Sequence, residues 1–242
     1  MQPIGVLDLL DLWDRGARQP PFRRALSLVA AACRDLSEEQ IGALSLGDRD
    51  RLLLDARALT LGSRVAAHVG CPQCGALLDA TFEAGDLSTR ITPGEAPLAV
   101  EQAGYLIRFR LPTTADIAAV ADTAAREDAL LRRCILDARH EGAEIPVAAL
   151  PEPLIDAVTE QMAQGDSSQV AIDVTCEACG HGWRAPFDVP AFFWEEIDAW
   201  AERTLVDVHT LASAYGWREA DILAMAPRRR QRYLALIAEH AL

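Results

Sequence analysis

Four cysteines occur as two short pairs with the same local pattern. Residues 69–82 read VGCPQCGALLDATF, and residues 174–187 read VTCEACGHGWRAPF. In each stretch two residues separate the cysteines, a glycine follows the second cysteine, and an alternating tail ends in Phe82 or Phe187. A C-x-x-C turn places two sulfurs on one side of a tight loop. The glycine permits a positive φ angle, which allows backbone N–H groups to point at the sulfurs.

Together the two pairs supply four thiolates. A structural zinc ion takes four ligands in a tetrahedron, and four cysteines are a common set. The sequence therefore predicts one structural Zn²⁺ per chain, bound by Cys71, Cys74, Cys176 and Cys179. This ion would join two hairpins into a zinc ribbon. A site with four thiolates leaves no coordination position for water, so no hydrolytic role is expected.

Other roles for these cysteines stay open. The two pairs could be independent dithiols or disulfides, or one could be a thioredoxin-like redox centre. Redox chemistry of that kind needs a C-x-x-C at a helix N-terminus, whereas these pairs lie between predicted strands. His181 lies beside the second pair and could replace a cysteine as a ligand. The remaining cysteines, Cys33 and Cys134, fall on apolar helix faces and are predicted to be core residues.

Hydrophobic periodicity indicates the elements that must position the cysteines. Alternating apolar residues on either side of each pair predict two hairpins, and helical spacing dominates at both ends of the chain. The predicted fold is α+β and mostly helical, a discontinuous zinc ribbon with an inserted α/β subdomain. The predicted regions are an N-terminal helical region (1–62), a first zinc-ribbon hairpin (63–85), an inserted subdomain (86–168), a second zinc-ribbon hairpin (169–189) and a C-terminal helical region (190–242).

Several local expectations can be compared with a structure. One helix face is predicted to carry Ile4, Leu7, Leu10 and Trp13. Asp48 is predicted to cap the third helix, which Gly62 ends. Residues 105–111 are predicted to form a strand, and a later helix in the insert is marked by Leu130, Leu131, Cys134 and Ile135. A long C-terminal helix from Phe193 is predicted to end at Gly216.

Composition excludes several classes of function. The chain of 242 residues has a net charge of −13, which argues against binding nucleic acid. All 23 basic residues are arginine, so lysine chemistry is excluded. No enzyme motif occurs, no apolar run approaches the ~18–20 residues of a membrane span, and the acidic N-terminal stretch does not resemble a signal peptide. We expect a cytoplasmic protein that is not an enzyme, with reduced thiols, no small-molecule substrate and no membrane insertion.

The C-terminal string FFWEEIDAWAERTLVDVHTLASAYGWREADILAMAPRRRQRYLALI resembles the end of one family. This is the T4-type phage baseplate hub protein family, with its relatives in phage-tail-like contractile injection systems. The residues that carry the resemblance are His209, Tyr215, Gly216, Trp217, Glu219, Ile222, Leu223, Arg229, Tyr233 and Leu234. The stretches LLDLWDRG, LGDRDRLLLDAR, CPQCG and FRLPTTADI are similar to a zinc-knuckle subgroup found with such systems.

The resemblance implies a non-enzymatic structural or assembly component of a baseplate. Its partners would be hub, spike, tube or wedge subunits, and its location the bacterial cytosol or an assembled tail-like particle. The resemblance does not itself imply the metal. The competing hypotheses are a zinc-ribbon adaptor in transcription or nucleic-acid metabolism and a dithiol redox factor.

Aromatic and arginine side chains near the C-terminus are candidates for binding a partner, because such residues commonly anchor protein interfaces. The candidates are Trp194, Trp217, Arg228, Arg229, Arg230 and Tyr233. The alternative is that the aromatic residues form the domain's own core. The arginines would then form a solvated face with acidic neighbours such as Glu219 and Asp221.

Overall fold

The computed structural model describes residues 1–88, 97–166, 168 and 170–240. Parts of the predicted insert (89–96 and 167) and of the predicted second hairpin (169) lie outside the described residues. The α+β class is confirmed, because helices predominate beside small antiparallel sheets. The domain bounds given above stay a prediction.

Four helices form the N-terminal region: α1 (Val6–Gly16), α2 (Pro21–Ala32), α3 (Glu38–Gly42) and α4 (Leu46–Leu61). The predicted face of α1 is wrong at Leu7, which is 59% exposed, whereas Leu9, Leu10 and Leu12 are buried. The reason is that α1 packs on two sides. Leu9 and Leu12 join the core around α2 and α4, and Leu10 joins a cluster formed with the C-terminal helices.

The cap of α4 also differs from the prediction. Ser45 is the N-cap residue, and its hydroxyl oxygen accepts a hydrogen bond from the Asp48 backbone N–H at 3.1 Å. Asp48 lies in the first turn, and its carboxylate accepts a hydrogen bond from the Ser45 hydroxyl at 2.7 Å. An acidic side chain in the first turn interacts favourably with the helix dipole without being the cap. Gly62 ends the helix as predicted.

The first hairpin consists of β1 (Arg64–Gly70) and β2 (Leu77–Glu83), paired antiparallel. A short helix, α5 (Ala84–Ser88), follows it. Val65 is fully buried, whereas most other residues of β1 and β2 are exposed or half-buried. The hairpin therefore contributes one edge to the core and leaves its tip in solvent.

A four-stranded antiparallel sheet lies within the predicted insert. Its strands are β3 (Leu98–Gln102), β4 (Tyr105–Phe109), β5 (Ile135–His140) and β6 (Ala143–Glu144). The helices are α6 (Thr114–Val120), α7 (Arg126–Cys134) and α8 (Glu152–Gly165), with a 3₁₀ turn at Val147–Ala149. The predicted helix through Ile135 is wrong at that residue, because α7 ends at Cys134 and Ile135 pairs with Phe109 in the sheet. This region has its own hydrophobic cluster.

The second hairpin and three helices complete the chain. The hairpin pairs β7 (Val170–Thr175) with β8 (Gly182–Phe187). The helices are α9 (Val189–Tyr215), α10 (Glu219–Leu223) and α11 (Pro227–His240). Gly216 ends α9 in a left-handed conformation, as predicted. Because α9 contacts α1, α2 and α4 as well as α10 and α11, it links the N-terminal helices to the C-terminal end.

Candidate metal centre and partner surface

The two cysteine turns have the same backbone structure. In the first turn the N–H of Gly75 donates to the carbonyl oxygen of Cys71 at 2.9 Å, and the N–H of Cys71 donates to the carbonyl oxygen of Ala76 at 2.8 Å. In the second turn the N–H of Gly180 donates to Cys176 and the N–H of Cys176 donates to His181, both at 2.8 Å. The repeated sequence therefore folds into a repeated turn.

The glycine after each pair has the backbone conformation that its position requires. Gly75 has φ +75° and Gly180 has φ +74°. This left-handed region is costly for residues with a Cβ atom and open to glycine. The conformation turns the chain back toward β2 or β8 and keeps both sulfurs of each pair on one side.

The two turns bring all four predicted ligands together. The Sγ atoms of Cys71 and Cys179 are 3.7 Å apart, and those of Cys74 and Cys176 are 3.6 Å apart. All four sulfurs lie within 4.8 Å of one another. A tetrahedral Zn²⁺ with Zn–S bonds of about 2.3 Å places its sulfurs about 3.8 Å apart. The geometry therefore fits one four-thiolate metal ion, although zinc itself stays a prediction.

Hydrogen bonds to sulfur favour the thiolate that a metal requires. Burial alone would raise the pKa of Cys71, but N–H groups of Cys74 and Gln73 donate to its sulfur and bring its pKa to about 7. The N–H of His181 likewise favours the Cys179 thiolate, but burial and the neighbouring thiols outweigh it and raise that pKa to about 12. Adjacent sulfurs resist ionising together, and a bound cation would remove that resistance.

The cluster has an inner and an outer half. Cys71 and Cys176 are buried, whereas Cys74 and Cys179 are exposed. His181 is not one of the clustered residues; its ring stacks on Trp183 with 5.7 Å between centroids. The two hairpins also meet at their other ends, where the rings of Phe82 and Phe187 pack edge to face at 5.5 Å.

The remaining cysteines lie in the core, as predicted. Cys33 is 6% exposed and Cys134 is fully buried. Burial raises the pKa of both thiols, that of Cys134 to about 11. A neutral buried thiol is a poor metal ligand and a poor nucleophile.

The candidate partner-binding residues fall into two groups. Trp194 is half-buried between α1 and α2, with the Arg24 guanidinium 4.5 Å above its ring. Arg230 is 6% exposed and points toward Asp207 of α9. Both side chains therefore make internal contacts. Arg228 and Arg229 are exposed and make no ion pair within the described part of the chain.

The aromatic candidates at the C-terminal end form a cluster with one further ring. Trp217 stacks on Tyr215 at 4.5 Å and meets Tyr233 edge to face at 4.8 Å. Tyr215 is 39% exposed, whereas Trp217 and Tyr233 are half-buried. The three rings thus join the end of α9 to α11 and leave part of their surface in solvent.

Sequence reasoning missed the ion pairs that hold the elements around the hairpins. Arg57 of α4 donates from Nη2 and Nε to the Glu196 carboxylate of α9, at 2.6 and 2.8 Å. The same guanidinium donates to the carbonyl oxygens of Gly62 and Arg64, at the start of the first hairpin. The two partners are 139 residues apart, so no local pattern could have identified them.

Residues 17–194 match the family described as T4 bacteriophage base plate protein. The chain belongs to this baseplate family. No curated protein and no solved structure matches the chain.

The family assignment confirms the T4-type baseplate resemblance and supports a structural role in a phage-type baseplate. It implies assembly with other phage tail proteins. The matched residues of this baseplate protein include both hairpins and the insert and end at Trp194. The C-terminal string quoted above lies almost entirely beyond them, so its resemblance to hub proteins stays a prediction.

No helix in the described residues of this baseplate protein has both the length and the apolar character needed to cross a membrane.

Proposed function

We propose that the protein is a non-enzymatic part of the baseplate hub of a contractile tail or phage-tail-like injection system. One Zn²⁺ would be bound by Cys71, Cys74, Cys176 and Cys179 and would hold the two hairpins together. The observation that carries the baseplate role is the family match over residues 17–194. The observation that carries the metal is the mutual approach of the four sulfurs to within 4.8 Å.

A metal at this place would have a physical role. An isolated two-stranded hairpin is at best marginally stable in water, and each of these hairpins has a solvated tip. Phe82 and Phe187 join the hairpins at one end. A zinc ion at the tips would join the other end and fix the angle between the hairpins. A rigid surface of this kind suits a subunit that must interlock with others.

The same chemistry favours a structural over a catalytic role. Four thiolates fill the coordination sphere of zinc and leave no position for a substrate or water. In the part of the chain that the structure describes, no second group of His, Cys, Asp and Glu is arranged to bind a metal.

The partner surface that we propose lies at the C-terminal end and consists of Trp217, Arg228, Arg229 and Tyr233. Large aromatic rings beside free guanidinium groups are typical anchors of protein interfaces. Trp194 and Arg230 are not part of this exposed surface, because Trp194 packs under the Arg24 guanidinium and Arg230 is buried.

A tagged pull-down from the native cell, read by mass spectrometry, tests the proposal. We expect sheath, inner-tube, spike or wedge subunits to be recovered, and the Trp217→Ala/Arg229→Ala variant to recover less of them. Arg18→Ala is the matched control, because Arg18 is exposed and lies outside the proposed surface. Presence in intact purified particles identifies a component, and presence only in assembly intermediates identifies an assembly factor. Recovery of RNA polymerase or ribosomal proteins instead would overturn the proposal.

A further inference from the structure

A cavity between α9 and α11 is lined by groups that the proposed function does not use. Its volume is about 460 Å³, and its lining includes Trp200, Arg203, Thr204 and Arg230. It lies beyond the residues matched to the baseplate family. The cavity is open to solvent on one side of α9, where Val206 is 62% exposed.

Arg230 is buried in this region with incomplete hydrogen bonding. Its side chain is 8% exposed, and its Nε and Nη1 atoms have no hydrogen-bond partner among the described residues. The nearest carboxylate oxygen is Oδ2 of Asp207, at 3.7 Å from Nε, which is too long for a hydrogen bond. That oxygen already accepts a hydrogen bond from Gln231 Nε2 at 3.1 Å. A buried guanidinium without an acceptor is costly, and an incoming oxygen acceptor would relieve that cost.

Two further groups of the cavity are free to bind an acceptor. Arg203 makes no ion pair or hydrogen bond with any residue that the structure describes. The hydroxyl of Thr204, which is 3% exposed, makes no hydrogen bond to the carbonyl four residues earlier. The helical threonines Thr60 and Thr159 do make that bond.

The charges of the cavity select the kind of anion. Arg203 and Arg230 are balanced by Glu202 and Asp207, which also line the cavity. A singly charged carboxylate would leave a small net charge, whereas a dianion such as phosphate would leave a larger one. Guanidinium groups bind carboxylates with paired, charge-assisted hydrogen bonds.

We propose that the α9–α11 cavity binds the carboxylate of an acidic side chain from a partner protein, through Arg230, Arg203 and the Thr204 hydroxyl. That the carboxylate comes from a partner protein rests on the proposed function, whereas the binding of a carboxylate at this site does not. The site would place an Asp or Glu of the partner against α9.

NMR of the arginine Nε–H signals during titration with sodium acetate tests the site. Sodium chloride at equal ionic strength is the reference, and Arg203→Lys and Arg230→Lys spectra assign the two signals. We expect both signals to shift and saturate, and the signal of exposed Arg229 to respond only to ionic strength. Arg203→Ala should weaken acetate binding about tenfold, whereas Arg229→Ala should leave it unchanged. Because Arg203 is exposed, its replacement should not impair folding.

Two further probes define the ligand. A terminally blocked peptide with one glutamate should bind, and the same peptide with glutamine should not. Inorganic phosphate should bind more weakly than acetate. Absence of saturation, an equal response at Arg229, equal binding of the glutamine peptide or tighter binding of phosphate would each overturn the proposal. Saturable acetate binding together with a pull-down that recovers no tail subunits would retain the site and reject the baseplate hub.

Discussion

Asp116 is a buried carboxylate at the start of α6, surrounded by donors. It is 1% exposed and receives hydrogen bonds from Arg110, from Arg133 Nε at 3.0 Å and from the Thr113 hydroxyl at 2.8 Å. Burial alone would raise its pKa, but the hydrogen bonds from Arg110 and Thr113 outweigh burial and lower the pKa to about 2. Asp116 therefore joins α6, α7 and the residue that follows β4 as long as it is ionised.

The first prediction concerns the pH dependence of this group. The folded pKa lies below the ordinary aspartate pKa of 3.8, so the folded state binds fewer protons than the unfolded state, most strongly between about pH 4 and 2. The stabilisation is complete above about pH 5, falls progressively as the pH drops through about 4 to 2, and is gone below both pKa values. It amounts to about 2 kcal/mol. Asp116→Asn should lower the free energy of unfolding by at least that amount at pH 7 and by less at pH 3, measured by urea denaturation.

Asp156→Asn is the control for this experiment, because Asp156 is an exposed carboxylate of α8. It should change stability little at either pH. A loss for Asp116→Asn that is equal at pH 7 and pH 3 would contradict the assigned role.

The second prediction concerns the sulfur ligands. Replacing Cys71 by Ser removes one of four ligands from the proposed site, so the protein should no longer retain one zinc per chain through dialysis. The free energy of unfolding should fall by about 3 kcal/mol or more. Metal content is measured by mass spectrometry after purification. Cys33→Ala is the control, since this buried thiol lies outside the cluster and its replacement should leave one zinc per chain. Wild-type protein that purifies without zinc would contradict the metal proposal.

At the scale of elements, the packing of α1 on α9 depends on a residue without a side chain. A Cβ atom at Gly16, the last residue of α1, would overlap the six-membered ring of Trp194. The indole can lie there only because residue 16 is glycine. Trp194 in turn packs under the Arg24 guanidinium of α2, so this contact fixes three helices against one another.

The third prediction follows from this close approach. Gly16→Ala should lower the free energy of unfolding by about 1–3 kcal/mol through overpacking, measured by urea denaturation. In a Trp194→Ala background the same change should be neutral or slightly stabilising, since alanine is a better helix former than glycine. An equal loss in both backgrounds would show that the ring is not the cause.

Elements defined by local chemistry could be predicted from the sequence. Both hairpins and the end of α9 at Gly216 depend on neighbouring residues, and these predictions are confirmed. The predicted buried face of α1 and the predicted helix through Ile135 are wrong. Both depend on distant partners, since α1 packs on two sides and Ile135 pairs with Phe109.

At the scale of the whole molecule, the sulfur cluster could be anticipated because the same pattern occurs twice. One C-x-x-C pair supplies only two of the four ligands of a tetrahedral site. The first pair therefore predicts a second pair, and the repeated pattern identifies it. The Arg57–Glu196 pair and the α9–α11 cavity carry no such signal. Single arginines and glutamates are common, and only the folded chain decides which of them meet.

The fourth prediction concerns removal of the proposed metal. Chelation should speed amide exchange in Arg64–Glu83 and Val170–Phe187 by about tenfold or more, since the tips of both hairpins would separate. Amides of β4 and β5 should exchange as before, because they lie in a separate hydrophobic cluster. Hydrogen exchange read by mass spectrometry gives both results in one experiment. Uniform acceleration throughout the chain would indicate global unfolding and contradict a local clamp.

The separation of the two cysteine turns along the chain has a consequence in time. Cys71 and Cys74 emerge from the ribosome long before Cys176 and Cys179, and residues 75–175 are synthesised between them. A metal ion held by all four sulfurs can therefore be captured only after the intervening chain has been made and has returned its second turn to the first. Capture of the proposed metal would thus come late in biogenesis, and a nascent chain that still lacks Cys176 and Cys179 could not complete it.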